Sequence, residues 1–151
     1  MRERTSVCFT FSCRRFNPWR TPVEIGGYHR TWKAEDIESL RAALAWRDLK
    51  GGAIFWLGDG HGEYPQLAIR ISGDFADIHY FPEEGHPGFR SLGGEGLPKG
   101  GMTTFIYDGS DPAEGEDTPN EFVVSPAVVW LVAKEFFLSK RMSNAVSWFE
   151  L

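Results

Sequence analysis

Two kinds of hydrophobic spacing divide this chain, and they predict different elements. From Ser125 onward the apolar residues Val129, Val132, Ala133, Phe136 and Phe137 recur at i, i+3, i+4, i+7 and i+8, which lays a broad stripe along one side of a helix. Ser125 can accept from the first helical amides, and Pro126 stands where a missing N–H costs nothing, so the helix is expected to start there. Lys140 and Arg141 complement its negative end, which should stop near Ser143-Asn144. A first helix is expected over Ala34 to Arg47: Ile37, Leu40 and Leu44 align on one face, and Glu35, Asp36 and Glu38 crowd its positive end.

Elsewhere the period is two, or the apolar run is short and continuous. Val23 to Trp32 is expected to contain a first strand, with Gly26-Gly27 as a turn or bulge. Ala53-Ile54-Phe55-Trp56-Leu57 reads as a central strand buried on both faces. Leu67, Ile69 and Ile71 alternate with Ala68 and Arg70, and Gly73-Asp74 leads into Phe75 to Phe81, which predicts a hairpin with Asp77 and His79 on its wetter face. The glycine-rich segment Pro82 to Gly101 is expected to be a long loop with a short strand at Phe89 to Leu92. Met102 to Tyr107 and Phe122-Val123-Val124 are further candidate strands, with an acidic loop from Asp108 to Glu121 between them. After the last helix come Trp148, Phe149, Glu150 and Leu151, too apolar for a frayed end. Either the apolar side chains close the core, or Trp148 and Glu150 form part of a partner-facing surface. The order of elements argues for an α+β fold, a mainly antiparallel sheet of about five to seven strands with two principal helices.

Composition adds scale. With 151 residues, 42% of them hydrophobic, the chain suits one globular domain. That domain is placed at 23–151, preceded by a basic tail or extension, 1–22, with Arg2, Arg4, Arg14, Arg15 and Arg20 around a short apolar patch from Val7 to Phe11. The leader makes a poor signal peptide, because the apolar patch is short and no small-residue cleavage site follows. No apolar run reaches the roughly 18 residues of a membrane span.

Charge is divided unevenly. Residues 1–33 hold seven Lys/Arg against two Asp/Glu, and 34–151 hold nine against nineteen. An acidic body disfavours nucleic acid or an anionic membrane as direct partner and favours a basic protein. Cys8 and Cys13 are too few for a disulfide framework or a zinc site, which fits a reducing cytoplasm.

Tests for hidden chemistry fail one after another. His61-Gly62-Glu63 matches the H-x-E half of a zinc deaminase signature, but no cysteine follows Cys13 to supply the P-C-x-x-C half. Lys99 lies in a glycine-rich stretch that lacks the phosphate-cradle spacing, and Ser91 sits in Phe-Arg-Ser-Leu-Gly, which is no nucleophile elbow. His29, His61, His79 and His86 are scattered, so a metal or catalytic cluster would need tertiary convergence. No metal, cofactor or catalytic residue is therefore assigned, and the chain is expected to be a binding protein. The alternatives are a small enzyme built on His61, His79, His86 and nearby carboxylates, or an adaptor domain.

Asp77-Ile78-His79-Tyr80-Phe81, the Gly-His-Pro-Gly-Phe-Arg-Ser segment from Gly85 to Ser91, Gly93-Gly94, Lys134-Glu135-Phe136-Phe137 and the closing Trp148-Phe149-Glu150-Leu151 resemble the Imm1 family of bacterial immunity proteins. The resemblance runs from about Trp32 to Leu151, and the terminal Trp-x-Glu is its most specific part. It implies a small α+β cytoplasmic protein that neutralises a cognate toxin of a polymorphic system, typically a nucleic-acid deaminase, by binding it. An acidic domain can fill the basic groove of such a toxin, and opposed charge speeds encounter. On that expectation Glu83, Glu84, Asp108, Asp111, Glu114, Glu116, Asp117 and Glu150 supply the charge, with Tyr80, Phe89 and Trp148 as exposed anchors.

Overall fold

The computed structural model describes residues 22–28, 30–58, 64–108 and 115–151. The basic leader up to residue 21, with both cysteines, lies outside them, as do His29, the His61-Gly62-Glu63 triplet, Asp111 and Glu114. Nine strands and two α-helices are described: β1 (Val23–Gly27), β2 (Thr31–Ala34), α1 (Ile37–Leu44), β3 (Gly52–Leu57), β4 (Gln66–Ser72), β5 (Phe75–Phe81), β6 (Phe89–Leu92), β7 (Met102–Phe105), β8 (Glu116–Pro119), α2 (Pro126–Ser139) and β9 (Ser147–Glu150). A seven-stranded antiparallel sheet runs β2-β1-β3-β4-β5-β6-β9, and β7-β8 form a separate hairpin. The fold is α+β, as the spacing predicts. No described helix is long and apolar enough to cross a membrane.

The helices cover one face of the sheet. Leu40, Ala43 and Leu44 of α1 and Val129, Val132, Ala133, Phe136 and Phe137 of α2 join one core with Ile25, Phe55, Leu67, Ile69, Ile78 and Tyr80 from the strands. The α2 stripe is the one expected. Its start is also where expected, with Ser125 as N-cap and Pro126 first, although the Ser125 side chain makes no capping bond; its end comes early, at Ser139 instead of near Ser143-Asn144. At its end Lys140 adopts φ 58°, and its N–H donates to Phe136 O at 2.7 Å, closing the last turn.

The first helix is shorter than predicted because Ala34 is already committed to β2, opposite Val23. Helix α1 begins only after Asp36, which accepts from Ser39 N at 2.7 Å while Ser39 Oγ accepts from Asp36 N at 3.1 Å, a reciprocal cap. The stretch Val23 to Trp32, expected to contain a first strand with Gly26-Gly27 as a turn or bulge, contributes to a hairpin of β1 and β2, with both glycines inside β1. Its turn needs Gly27, where a Cβ would lie 2.6 Å from the Trp32 ring.

The β4-β5 hairpin turns at Gly73-Asp74 as predicted, with Ser72 opposite Phe75 and Gly73 at φ +58°. Two other expectations are corrected, and the docking expected of the C-terminus is specified. Phe122-Val123-Val124 is no strand: Asn120–Phe122 is a single 3-10 turn, and only Val124 bridges to Ala76. Asn120 holds this turn onto the glycine-rich loop, donating to Pro98 O at 2.8 Å and accepting from Thr103 Oγ1 at 2.7 Å. The acidic loop contains a strand, β8, paired with β7. The apolar C-terminus is a strand too: Glu135 accepts from Ser143 Oγ and Asn144 N, which turns the chain back after α2, and β9 then pairs with β6.

Candidate functional site

The face of the sheet away from the helices is chemically the more distinctive one. Strand register brings Gly26, Trp56, Ala68, His79, Arg90 and Phe149 into one row across β1, β3, β4, β5, β6 and β9, with Ile54, Arg70 and Asp77 in the next row. The hairpin β7-β8 roofs part of this face. Between roof and sheet is a groove of about 460 Å³, lined by Ile54, Trp56, Ala68, Arg70, Asp77, His79, Arg90 and the strand Glu116 to Thr118.

Asp77 is its electrostatic centre. The side chain is 1% exposed and accepts from Arg70 through both oxygens, Nε lying 2.9 Å from Oδ1, and from Arg90 Nη2 at 2.7 Å. Burial alone would raise its pKa, but the two guanidiniums outweigh that and hold the carboxyl below its ordinary range. Burial likewise disfavours the charge on Arg70, and the bonds to Asp77 more than reverse it, so its pKa is raised. Arg70 also pairs with Glu116 and donates to Thr118 Oγ1 at 3.2 Å, which ties the roof to the floor. Arg90 lies 4.4 Å from the centroid of the Phe122 ring, and Phe122 packs on Phe149 at 5.6 Å.

His79 stands beside this network. Its Nε2 is buried and has no hydrogen-bond partner, and desolvation lowers the imidazole pKa to about 4, against the pull of Asp77, so the ring is neutral at pH 7. The wetter face predicted for Asp77 and His79 is thus a shared face, but a roofed one.

The expected interface residues separate into groups. Glu116 and Asp117 line the groove. Glu83 and Glu84 are exposed on the β5-β6 turn, and Glu150 stands at the same end of the sheet, 3.6 Å from His86 Nε2. Asp108 is exposed elsewhere, its N–H donating to Asp48 Oδ2 at 2.7 Å. Tyr80 is corrected: it is 8% exposed, packed against Phe136, Phe89 and Trp148 in the helix-side core. Phe89 and Trp148 are half-buried in that cluster, and Trp148 Nε1 donates to Ser143 O at 2.8 Å. For Trp148 the core-closing alternative describes the packing.

His79 and His86 are not brought together: His86 stacks on Phe89, on the helix side, and its Nδ1 accepts from Gly88 N at 2.9 Å. Among the described residues no group of three or more His, Cys, Asp or Glu is placed to hold a metal ion.

No protein-family model matches this chain, and no curated protein matches it either.

One groove residue, Trp56, escapes the sequence reading altogether: it is 43% exposed on the open face, where Phe149, outside the groove, is 49% exposed. Trp56 was hidden inside an apolar run that looks buried on both sides. A two-residue hairpin turn, however, dictates that Arg70 faces Asp77, so that pair was available from the sequence.

Proposed function

We propose that this chain is an immunity protein that binds and neutralises a cognate toxin, of the nucleic-acid deaminase class to which the Imm1 resemblance points, and that it acts by occupying the toxin's basic groove. The observation that carries the reading is the open sheet face. Two large aromatics, Trp56 and Phe149, are left exposed on one cross-strand row, and carboxylates stand at the groove that Trp56 lines. Exposed aromatics beside an ion-paired polar floor are the composition of a binding hot spot.

The acidic balance of residues 34–151 supports a basic partner. The residues that carry the resemblance also converge: Arg90 with Asp77 and Ser91 with Ile78 are bonded across β5 and β6, and the terminal Trp148 to Glu150 pairs with β6. Ser91 is 0% exposed, accepting from Ile78 N and donating to Phe122 O, each at 3.1 Å, so part of that pattern secures the platform itself.

Co-expression with the toxin encoded beside this chain tests the reading. The expected result is survival of the host together with a stoichiometric complex that co-purifies. Survival without a complex, or turnover of a substrate by the purified chain, overturns it.

A further inference from the structure

The groove sorts its charges by depth. The side chains of Arg70 and Arg90 are 19% and 14% exposed and both pair with Asp77, whereas the Glu116 side chain, which pairs with Arg70 through Oε2, is 65% exposed, and Asp117 beside it is exposed as well. What faces solvent at the mouth is therefore negative, although the floor holds two cations. The aromatic wall is accessible for a reason visible in the register: Trp56 is flanked across the strands by Gly26 on one side and Ala68 on the other, so no large side chain covers the indole. An uncovered indole next to an exposed carboxylate attracts a cation by ring quadrupole and by charge together. Of the two basic side chains, arginine fits better, because its planar guanidinium stacks on a ring, sheds water easily and offers parallel donors to a carboxylate.

We infer that the Trp56 groove is a receptor for an arginine side chain of the partner, with the guanidinium stacked on the Trp56 indole and paired with Glu116. The inference deepens the partner-binding reading above and rests on it for the identity of the partner as a basic protein. Glu116 already pairs with Arg70 through Oε2, so the incoming cation shares this carboxylate through Oε1, while the Arg70-Asp77-Arg90 network holds the floor in place beneath it.

The test uses the full chain, isotopically labelled, titrated with three blocked tripeptides, Ac-Gly-Xaa-Gly-amide with Xaa arginine, lysine or citrulline, the last being arginine's neutral isostere. The expected result is saturable shifts at the Trp56 indole N–H and the Ala68 amide for the arginine peptide, at least tenfold tighter than for citrulline and tighter than for lysine. Trp56→Leu, which keeps apolar bulk without the ring, and Glu116→Gln should each remove most of this binding. Equal response to citrulline, no saturation, or arginine binding that survives Trp56→Leu overturns the inference. In the toxin complex, Trp56→Leu should weaken affinity tenfold or more. Unchanged affinity there sinks the groove but leaves the immunity reading standing. If the unaltered chain gives no rescue and no complex, the immunity reading fails, and the tripeptides still decide the groove.

Discussion

The two faces of the sheet are made by alternate residues of the same strands, yet they follow different rules. On the helix side Ile69 faces Ile78 and Leu67 faces Tyr80, and every one of these is buried beneath α1 and α2. Shape is what matters there, because close packing turns each lost methylene into a cavity. On the other side Arg70 faces Asp77 and Ala68 faces His79, and the same strands carry an ion network, a neutral histidine and an exposed tryptophan. Charge balance and exposure govern this side. The comparison teaches that the fold rests chiefly on one face, which leaves the other free to be specialised for a partner.

That division can be broken by experiment, most forcefully on the helix side. Phe136→Ala should cost about 3–5 kcal/mol in chemical denaturation, because the ring is 0% exposed at the centre of the core. A cost below about 1 kcal/mol would show that the helix face does not carry the fold.

Next is Asp77→Ala, which leaves two guanidiniums without their shared counter-charge. A loss of about 3 kcal/mol is expected, the lower end of the range for a broken buried pair, because both arginines keep some contact with water. A negligible loss would mean that the floor is solvated.

A smaller effect appears on acidification. The His79 pKa is about 4 in the fold against 6.5 for the free side chain. Between these values the unfolded chain binds a proton that the native state refuses, so stability is complete above about pH 6.5 and falls as pH drops toward 4. His79→Gln should flatten that slope in urea midpoints measured from pH 7 to 4.5. The contribution of Asp77, whose carboxyl is held below the ordinary aspartate pKa of 3.8, is lost only at lower pH and leaves this window clear. An unchanged slope would place His79 in water.

The smallest change in stability is expected at Trp56. Substitution by alanine should stay within about 1 kcal/mol in the same denaturation assay, because the side chain is 43% exposed. A larger loss would assign Trp56 to the core and blur the contrast between the faces.

Much of the fold was legible because its signals are local. The α2 stripe, the Gly73-Asp74 turn and the alternation of Leu67, Ile69 and Ile71 each lie within one element or hairpin. The parts that were misread depend on distant residues. Phe122 to Val124 has strand-like composition but is held as a 3-10 turn by Asn120, whose partners are Pro98 and Thr103. The tail becomes a strand only because β6 offers an edge, and Glu135 reaches across to anchor the turn before it.

The site follows the same pattern. Glu116 and Asp117 were named as charged positions, but the aromatic they accompany, Trp56, comes from β3, 60 residues earlier by the numbering of Glu116 and Trp56. Tyr80 was named as an anchor on the resemblance, yet the alternation that sets Asp77 and His79 on the wetter face already sets Tyr80 with Ile78 on the other, which α2 covers.

Side-chain oxidative footprinting of the chain, free and bound to its toxin, tests the division most directly. Trp56 and Phe149 report on the open face, while Leu131 and Leu138, 51% and 48% exposed on α2, report on the helix side. The account predicts that binding protects Trp56 and Phe149 and leaves both leucines as reactive as before. Protection of Leu131 and Leu138 with Trp56 still oxidised would contradict it.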